Sequence, residues 1–215
     1  FHSPLDTPVA HPRGEVADAC RTVLRRCIEF SADFRPLVHY YNFHLHPRVP
    51  TFKLKDVREE ITIKGLERCK EITSIASEFG IAVSVENDLV PFEWSDLILN
   101  ALSLLAPQLY LTFDVGHAIM AELIHLGRKK QAGNYQDYLK RWIEQCGEKI
   151  LVVHVHDCSR TGNEMQDHLS LGSGDLDFEV IFDLVKSTGC KYLVIETFWK
   201  NKEKMRMDYE AMRRN

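Results

Sequence analysis

Three features of this sequence predict a parallel α/β barrel. Strand-like and helix-like segments alternate along its length. The strand-like segments are nearly continuous Val, Ile and Leu, as strands covered on both faces are. Four successive strands end in Glu86, Asp114, His154 and Glu196. A barrel gathers its strands' C-terminal ends around one axis, at the face where such enzymes keep their active sites. An open sheet would spread them in a row. The intervals of 28, 40 and 42 residues between the four each fit one strand–helix–strand step. The expectation is a TIM-like (β/α)8 barrel, one domain over residues 1–215. At 215 residues, against roughly 250 for the usual fold, the first one or two strands are expected to be missing ahead of Phe1.

The elements follow in order. FHSPLD reads as the end of a strand running into a loop. Residues 15–32 carry Val16, Cys20, Val23, Cys27 and Ile28 at helical spacing. RPLVHYYN (35–42) is strand-like. From Lys55 to Phe79 an apolar stripe (Val57, Ile61, Cys69, Ile72, Ala76, Phe79) predicts a helix ended by Gly80. IAVSVEN (81–87) is a strand, and PFEWSDLILNALSLL (91–105) a helix opened by proline. Strand 109–114 comes next, then a helical region from 118 to 147 and strand KILVVHVHD (149–157). Helix 178–187, strand KYLVIET (191–197) and a charged helical tail complete the chain.

The bulk numbers narrow the class. With 45% hydrophobic and 27% charged residues the chain reads as an ordinary globular protein. A net charge of −4 gives no general attraction to nucleic acid. Six scattered cysteines without a C-x-x-C pair read as buried thiols of a reducing cytoplasm. No apolar run approaches the ~20 residues of a membrane span, and no signal peptide is visible. There is no G-x-G-x-x-G after a strand and no P-loop, so no nucleotide cofactor is expected.

The strand ends carry the chemistry. Glu86, Asp114, His154 and Glu196 make a set of three carboxylates and one imidazole, which suits Mn²⁺, Mg²⁺, Co²⁺ or Zn²⁺. Any one strand-end acid is as often structural as functional. Four at equivalent strand ends are hard to obtain by chance. Gly116 is expected to make a turn that brings His117 over the pocket, or His117 merely caps the next helix. His156 lies two residues from His154 on the same face, as a hydrogen-bonded neighbour of a ligand. Asp157 either caps the following turn or orients a histidine. His168 and the loop LSLGSGDLDF, with Gly172 and Gly174, follow the same strand. His2, His39, His44 and His46 are candidates for a second metal or for substrate contacts, or belong to a plain surface loop.

The segments VSVEN, LTFDVGHA, LVVHVHD, DHLSLGSGDLDF and LVIET resemble the xylose-isomerase-like TIM-barrel superfamily. That group includes sugar and sugar-phosphate isomerases and epimerases, and the endonuclease IV type of abasic-site repair enzymes. The resemblance implies that FHSP corresponds to about the third barrel strand. It implies one divalent ion held by Glu86, Asp114, His154 and Glu196, with His117 and Arg160 holding substrate. His168, His2 and His44 are expected as further substrate contacts. The expected activity is a metal-dependent sugar or sugar-phosphate isomerase or epimerase. Glu86 and Glu196 would move a proton next to a carbonyl, from opposite faces, through an enediolate. Arg160 and the backbone near Gly172–Gly174 are where a phosphate would bind. The alternative is a zinc-dependent abasic-site endonuclease, the one reading with nucleic acid as partner. It would need a D-x-H pair where this chain has Gln166-Asp167-His168. A non-catalytic barrel binding a small molecule is a third reading. Homo-oligomerisation stays open: Trp94, Trp142 and Trp199 are either core or interface.

Overall fold

Apolar stripes at helical spacing build the first two helices. α1 (Gly14–Ala32) buries Ala17, Cys20, Leu24 and Ile28. α2 (Lys55–Glu78) buries Ile61, Cys69, Ile72 and Ala76 and packs against α1. The computed structural model describes residues 1–46, 54–126, 134–161 and 164–197, with Glu210 and Arg213. The chain divides into two compact units, Phe1–Thr112 and Phe113–Asn215.

In the first unit β1 (Tyr41–Phe43) and β2 (Val83–Glu86) pair in parallel, with Tyr41 opposite Val83. β3 (Leu109–Asp114) continues the parallel order, with Glu86 opposite Thr112. His2 makes a single parallel bridge to Asn42, so the opening residues run beside β1 as expected. α3 (Asp96–Leu104) packs on α2.

In the second unit β4 (Ile150–Val155) is buried along its whole length and pairs in parallel with β7 (Tyr192–Ile195). Around it lie α4 (Val115–Leu126), α5 (Tyr135–Cys146) and α6 (Phe178–Lys186). Trp142 is fully buried against Phe113, ring centroids 6.2 Å apart, so it is core rather than interface. Burial of large apolar side chains contributes about 1.5–3 kcal/mol each. Asn134 and Asp177 cap α5 and α6 through their side-chain oxygens.

Several expected elements differ. The strand of 35–42 shrinks to its end, because backbone pairing with β2 begins only at Tyr41. The helix of 91–105 is a 3₁₀ turn at Phe92–Trp94 followed by α3, with Ser95 Oγ donating to the Pro91 carbonyl at the break. The strand of 149–157 is β4 followed by β5 (Asp157–Thr161), which forms an antiparallel hairpin with β6 (Glu164–Leu169). Its polar residues carry no apolar alternation that would announce a strand. The helical region of 118–147 is α4 and α5. Residues 127–133 between them lie outside the described residues, as do most of the charged tail and Trp199. All six cysteines are free thiols, and burial pushes Cys69, Cys146 and Cys158 up to about 12. Among the described residues no helix is long and apolar enough to cross a membrane.

Candidate metal centre

The second unit assembles Asp114, His154 and Glu196. Asp114 is the last residue of β3, His154 the last but one of β4, and Glu196 the first beyond β7. The parallel pairing sets His154 opposite Val194, and Glu196 N–H donates to the Val155 carbonyl. These two bonds bring the side chains together. His154 Nδ1 lies 2.6 Å from Glu196 Oε2 and 3.8 Å from Asp114 Oδ2. Asp114 is fully buried and Glu196 is the most open of the three. Their donor atoms lie within 4.8 Å of one another. Two oxygens and one imidazole nitrogen at this spacing fit a divalent ion with bonds of about 2.1 Å.

Asp114 has a second task. The His117 N–H donates to Asp114 Oδ1 at 2.6 Å, so the carboxylate caps α4. The positive end of the helix favours its charge. Gly116 therefore does not make a turn: α4 starts directly at Val115. It is glycine because a Cβ there would stand 2.0 Å from Cε1 of His156. His117 is buried in the first turn of α4, its Nδ1 3.8 Å from Asp114 Oδ1.

His156 is wholly buried and touches Asp114 through Nε2, at 3.0 Å to Oδ1 and 3.2 Å to Oδ2. Burial lowers its basicity, but Asp114 and the Asp157 carbonyl outweigh that and hold it above the usual imidazole range. Its ring stacks on His168, centroids 4.2 Å apart and 7° from parallel. His117, His156, His168 and Asp114 form a further group of ligand-type side chains, their nitrogen and oxygen atoms within 4.8 Å of one another. Asp167 Oδ1 lies 3.4 Å from His168 Nδ1, and that contact holds its carboxyl below the usual range. Gln166 is exposed.

Asp157 serves the loop rather than a histidine side chain. Its carboxylate accepts from the N–H groups of Cys158, Gly174 and Leu176. Arg160 stands exposed on β5, opposite Met165, its N–H donating to Asp175.

The first unit gathers His2, His44 and Glu86, again with donor atoms within 4.8 Å. Glu86 is the last residue of β2, buried, and Asn42 donates to its Oε2 at 2.7 Å. Thr112, Ser84 and Asn42 extend this network across β3, β2 and β1. His2 Nε2 lies 3.3 Å from Glu86 Oε2, and His44 Nε2 3.9 Å from it. The Nδ1 of His2 meets the Ser3 carbonyl at 2.6 Å, and the Nδ1 of His44 meets Asp88 at 2.6 Å. Acceptors at both Nδ1 atoms anchor the two rings and leave each Nε2 facing Glu86, with His2 in hydrogen-bond contact with its Oε2.

Asp88 was not among the sequence candidates. It stands at a φ of +36° and also accepts from the N–H and ring of His46. Burial would raise its carboxyl, but His44 and His46 outweigh that and hold it far below the usual range. The signal for it was the H-x-H pair at 44 and 46, two rings on one side of the chain that need an acceptor.

The profile of the xylose isomerase-like TIM barrel family matches residues 1–215. The chain belongs to that family. Its fold is shared by a solved D-tagatose 3-epimerase-like protein, 21% identical, with a TM-score of 0.72 over 99% of this chain and 74% of the other. The 3-keto-D-glucoside 4-epimerase YcjR from E. coli is 14% identical, TM-score 0.66, over 100% of this chain and 78% of the other. The IOLI protein with a bound zinc atom is 20% identical, TM-score 0.63, over 93% of this chain and 67% of the other. No curated protein matches the chain.

Proposed function

We infer that this chain is a divalent-metal-dependent sugar or sugar-phosphate epimerase or isomerase, moving a proton on a carbon next to a carbonyl. The observation that carries this reading is the meeting of Asp114, His154 and Glu196 at the ends of β3, β4 and β7. Family membership and the epimerase names of the two structural neighbours support it, and the zinc-bearing neighbour supports a divalent ion. Mn²⁺, Co²⁺, Mg²⁺ and Zn²⁺ all suit such donors.

In this reading Glu86 is the fourth ligand. A divalent ion held by these residues would supply positive charge beside the substrate carbonyl. Glu196 takes the proton from one face of the carbon, and Glu86 returns it to the other. His117 and His168 bind substrate hydroxyls, and Arg160 binds the far end of the substrate. His2 and His44 contact the substrate beside Glu86. The test is solvent deuterium uptake into a panel of ketoses and sugar phosphates by the metal-loaded protein. Uptake into no sugar in the panel, with metal bound, ends this reading.

One observation favours a second reading. The His2–His44–Glu86 group and the Asp114–His117–His156–His168 group add two further cation-binding arrangements. Three zinc ions would suit phosphodiester hydrolysis at an abasic site. Metal content separates the readings: one ion per chain supports sugar chemistry, and three zinc ions with cleavage of an abasic oligonucleotide support repair.

A further inference from the structure

We propose that His156 is a positioning residue that ties the ligand carboxylate of Asp114 to the backbone of His168 through its two ring nitrogens. The proposal rests on the reading of Asp114 as a metal ligand, and concerns the second unit alone.

The hydrogen bonds assign the tautomer. The His168 N–H donates to His156 Nδ1 at 2.9 Å, so that nitrogen carries a lone pair. The neutral ring then bears its proton on Nε2, which faces both oxygens of Asp114. The Asp157 carbonyl, 3.3 Å from Nδ1, is the longer of the two contacts there. With both nitrogens engaged, His156 has no lone pair left for a cation, although it falls in a group of ligand-type residues. It works on the ligands instead.

Its effect on Asp114 is directional. Oδ1 already accepts from the His117 N–H and from His156. Oδ2 is the oxygen on the His154 side, 3.8 Å from Nδ1. Oδ1 thus takes the two shorter contacts, and Oδ2, which meets His156 at 3.2 Å, is the oxygen that faces His154.

Its effect on His168 is conformational. His168 stands at a φ of +52°, a left-handed conformation that L residues adopt at a cost of about 1–3 kcal/mol. The bond to Nδ1 and the parallel ring stack offset that cost. Room for the ring comes from Gly116, where any Cβ would collide with it. One imidazole thus sets the ligand carboxylate and the end of β6 in a single register.

Asn and Gln separate the two nitrogens. Asn at 156 reaches the δ position and Gln the ε position. His156→Asn is expected to keep the slow amide exchange of His168 and to weaken Mn²⁺ binding by about tenfold. His156→Gln is expected to keep Mn²⁺ affinity within about threefold and to lose the His168 protection. Gly116→Ala, which displaces the ring, should lose both. Long-range ¹⁵N–¹H NMR of the full metal-free chain, above the ordinary imidazole range, should find the proton of His156 on Nε2. A proton on Nδ1, or Asn and Gln variants with the same metal affinity and the same His168 exchange as the parent, overturns the proposal. Asp114→Asn with undiminished Mn²⁺ affinity would instead sink the metal reading, and the tautomer and amide exchange would still report on His156.

Discussion

The two units each gather buried histidines and carboxylates, and they use the imidazole nitrogens in opposite ways. In the first unit Ser3 and Asp88 accept from the Nδ1 atoms of His2 and His44, and both Nε2 atoms turn toward Glu86. In the second, His156 spends one nitrogen on Asp114 and the other on a backbone N–H. The first arrangement presents imidazole nitrogens to a carboxylate; the second engages both nitrogens of one ring, on a carboxylate and on the backbone. Among the described residues each unit holds one non-glycine residue at positive φ, Asp88 in the first and His168 in the second. The contrast teaches that a count of His and Asp side chains does not identify ligands. What occupies the other nitrogen does.

The largest way to break this comparison is to remove the carboxylate of the second unit that is proposed to move the proton. Glu196→Gln is expected to lower deuterium uptake into substrate by about 10²–10⁴-fold, as general acid–base residues do. An unchanged rate would remove Glu196 from the chemistry.

Next come the two structural carboxylates. Asp157→Ala takes an acceptor from three backbone N–H groups at once and should destabilise the protein by about 3 kcal/mol in urea titrations. Faster amide exchange at Gly174 and Leu176 should accompany it. If the loop keeps its protection, the tether has been misread.

Asp88→Asn acts on the first unit, with an expected cost of about 2 kcal/mol at neutral pH. The sign with pH follows from linkage. The folded carboxyl of Asp88 lies below its unfolded value, so its contribution is present above the ordinary carboxylate range. It fades as pH falls below that range toward the folded value. Urea midpoints of parent and variant should therefore converge in acid. A gap that widens in acid contradicts the pairing with His44 and His46.

The smallest effect sharpens the first unit internally. The His2 side chain is 30% exposed and that of His44 only 4%. His2→Ala should cost under about 1 kcal/mol, and His44→Ala about 2 kcal/mol or more, because it leaves Asp88 short of a buried donor. Thermal unfolding of the two variants, equal within error, would argue that the two histidines are not differently anchored.

Much of this was legible in the sequence. Val/Ile/Leu runs announced β2, β3 and β4, and each ends close to where its terminal acid or histidine predicted. Helical stripes located α1 and α2 within a residue or so. The hairpin β5–β6 was not legible, because DCSRT and EMQDHL are too polar to alternate. Gly116 was legible as necessary but not for its reason. A turn and a close ring look alike in one dimension, and only the position of His156 distinguishes them.

By itself the sequence determined which residues close the strands and which stripes face the core. Those are local properties, set by backbone periodicity over a few residues. Tertiary structure alone decided the use of each nitrogen. His156 meets Asp114 across 42 residues and His168 across 12, while His44 meets Asp88 across 44. A hydrogen bond needs its partners within about 3 Å and in line. Between residues so far apart, the folding of the chain sets that geometry, and no spacing in the sequence encodes it.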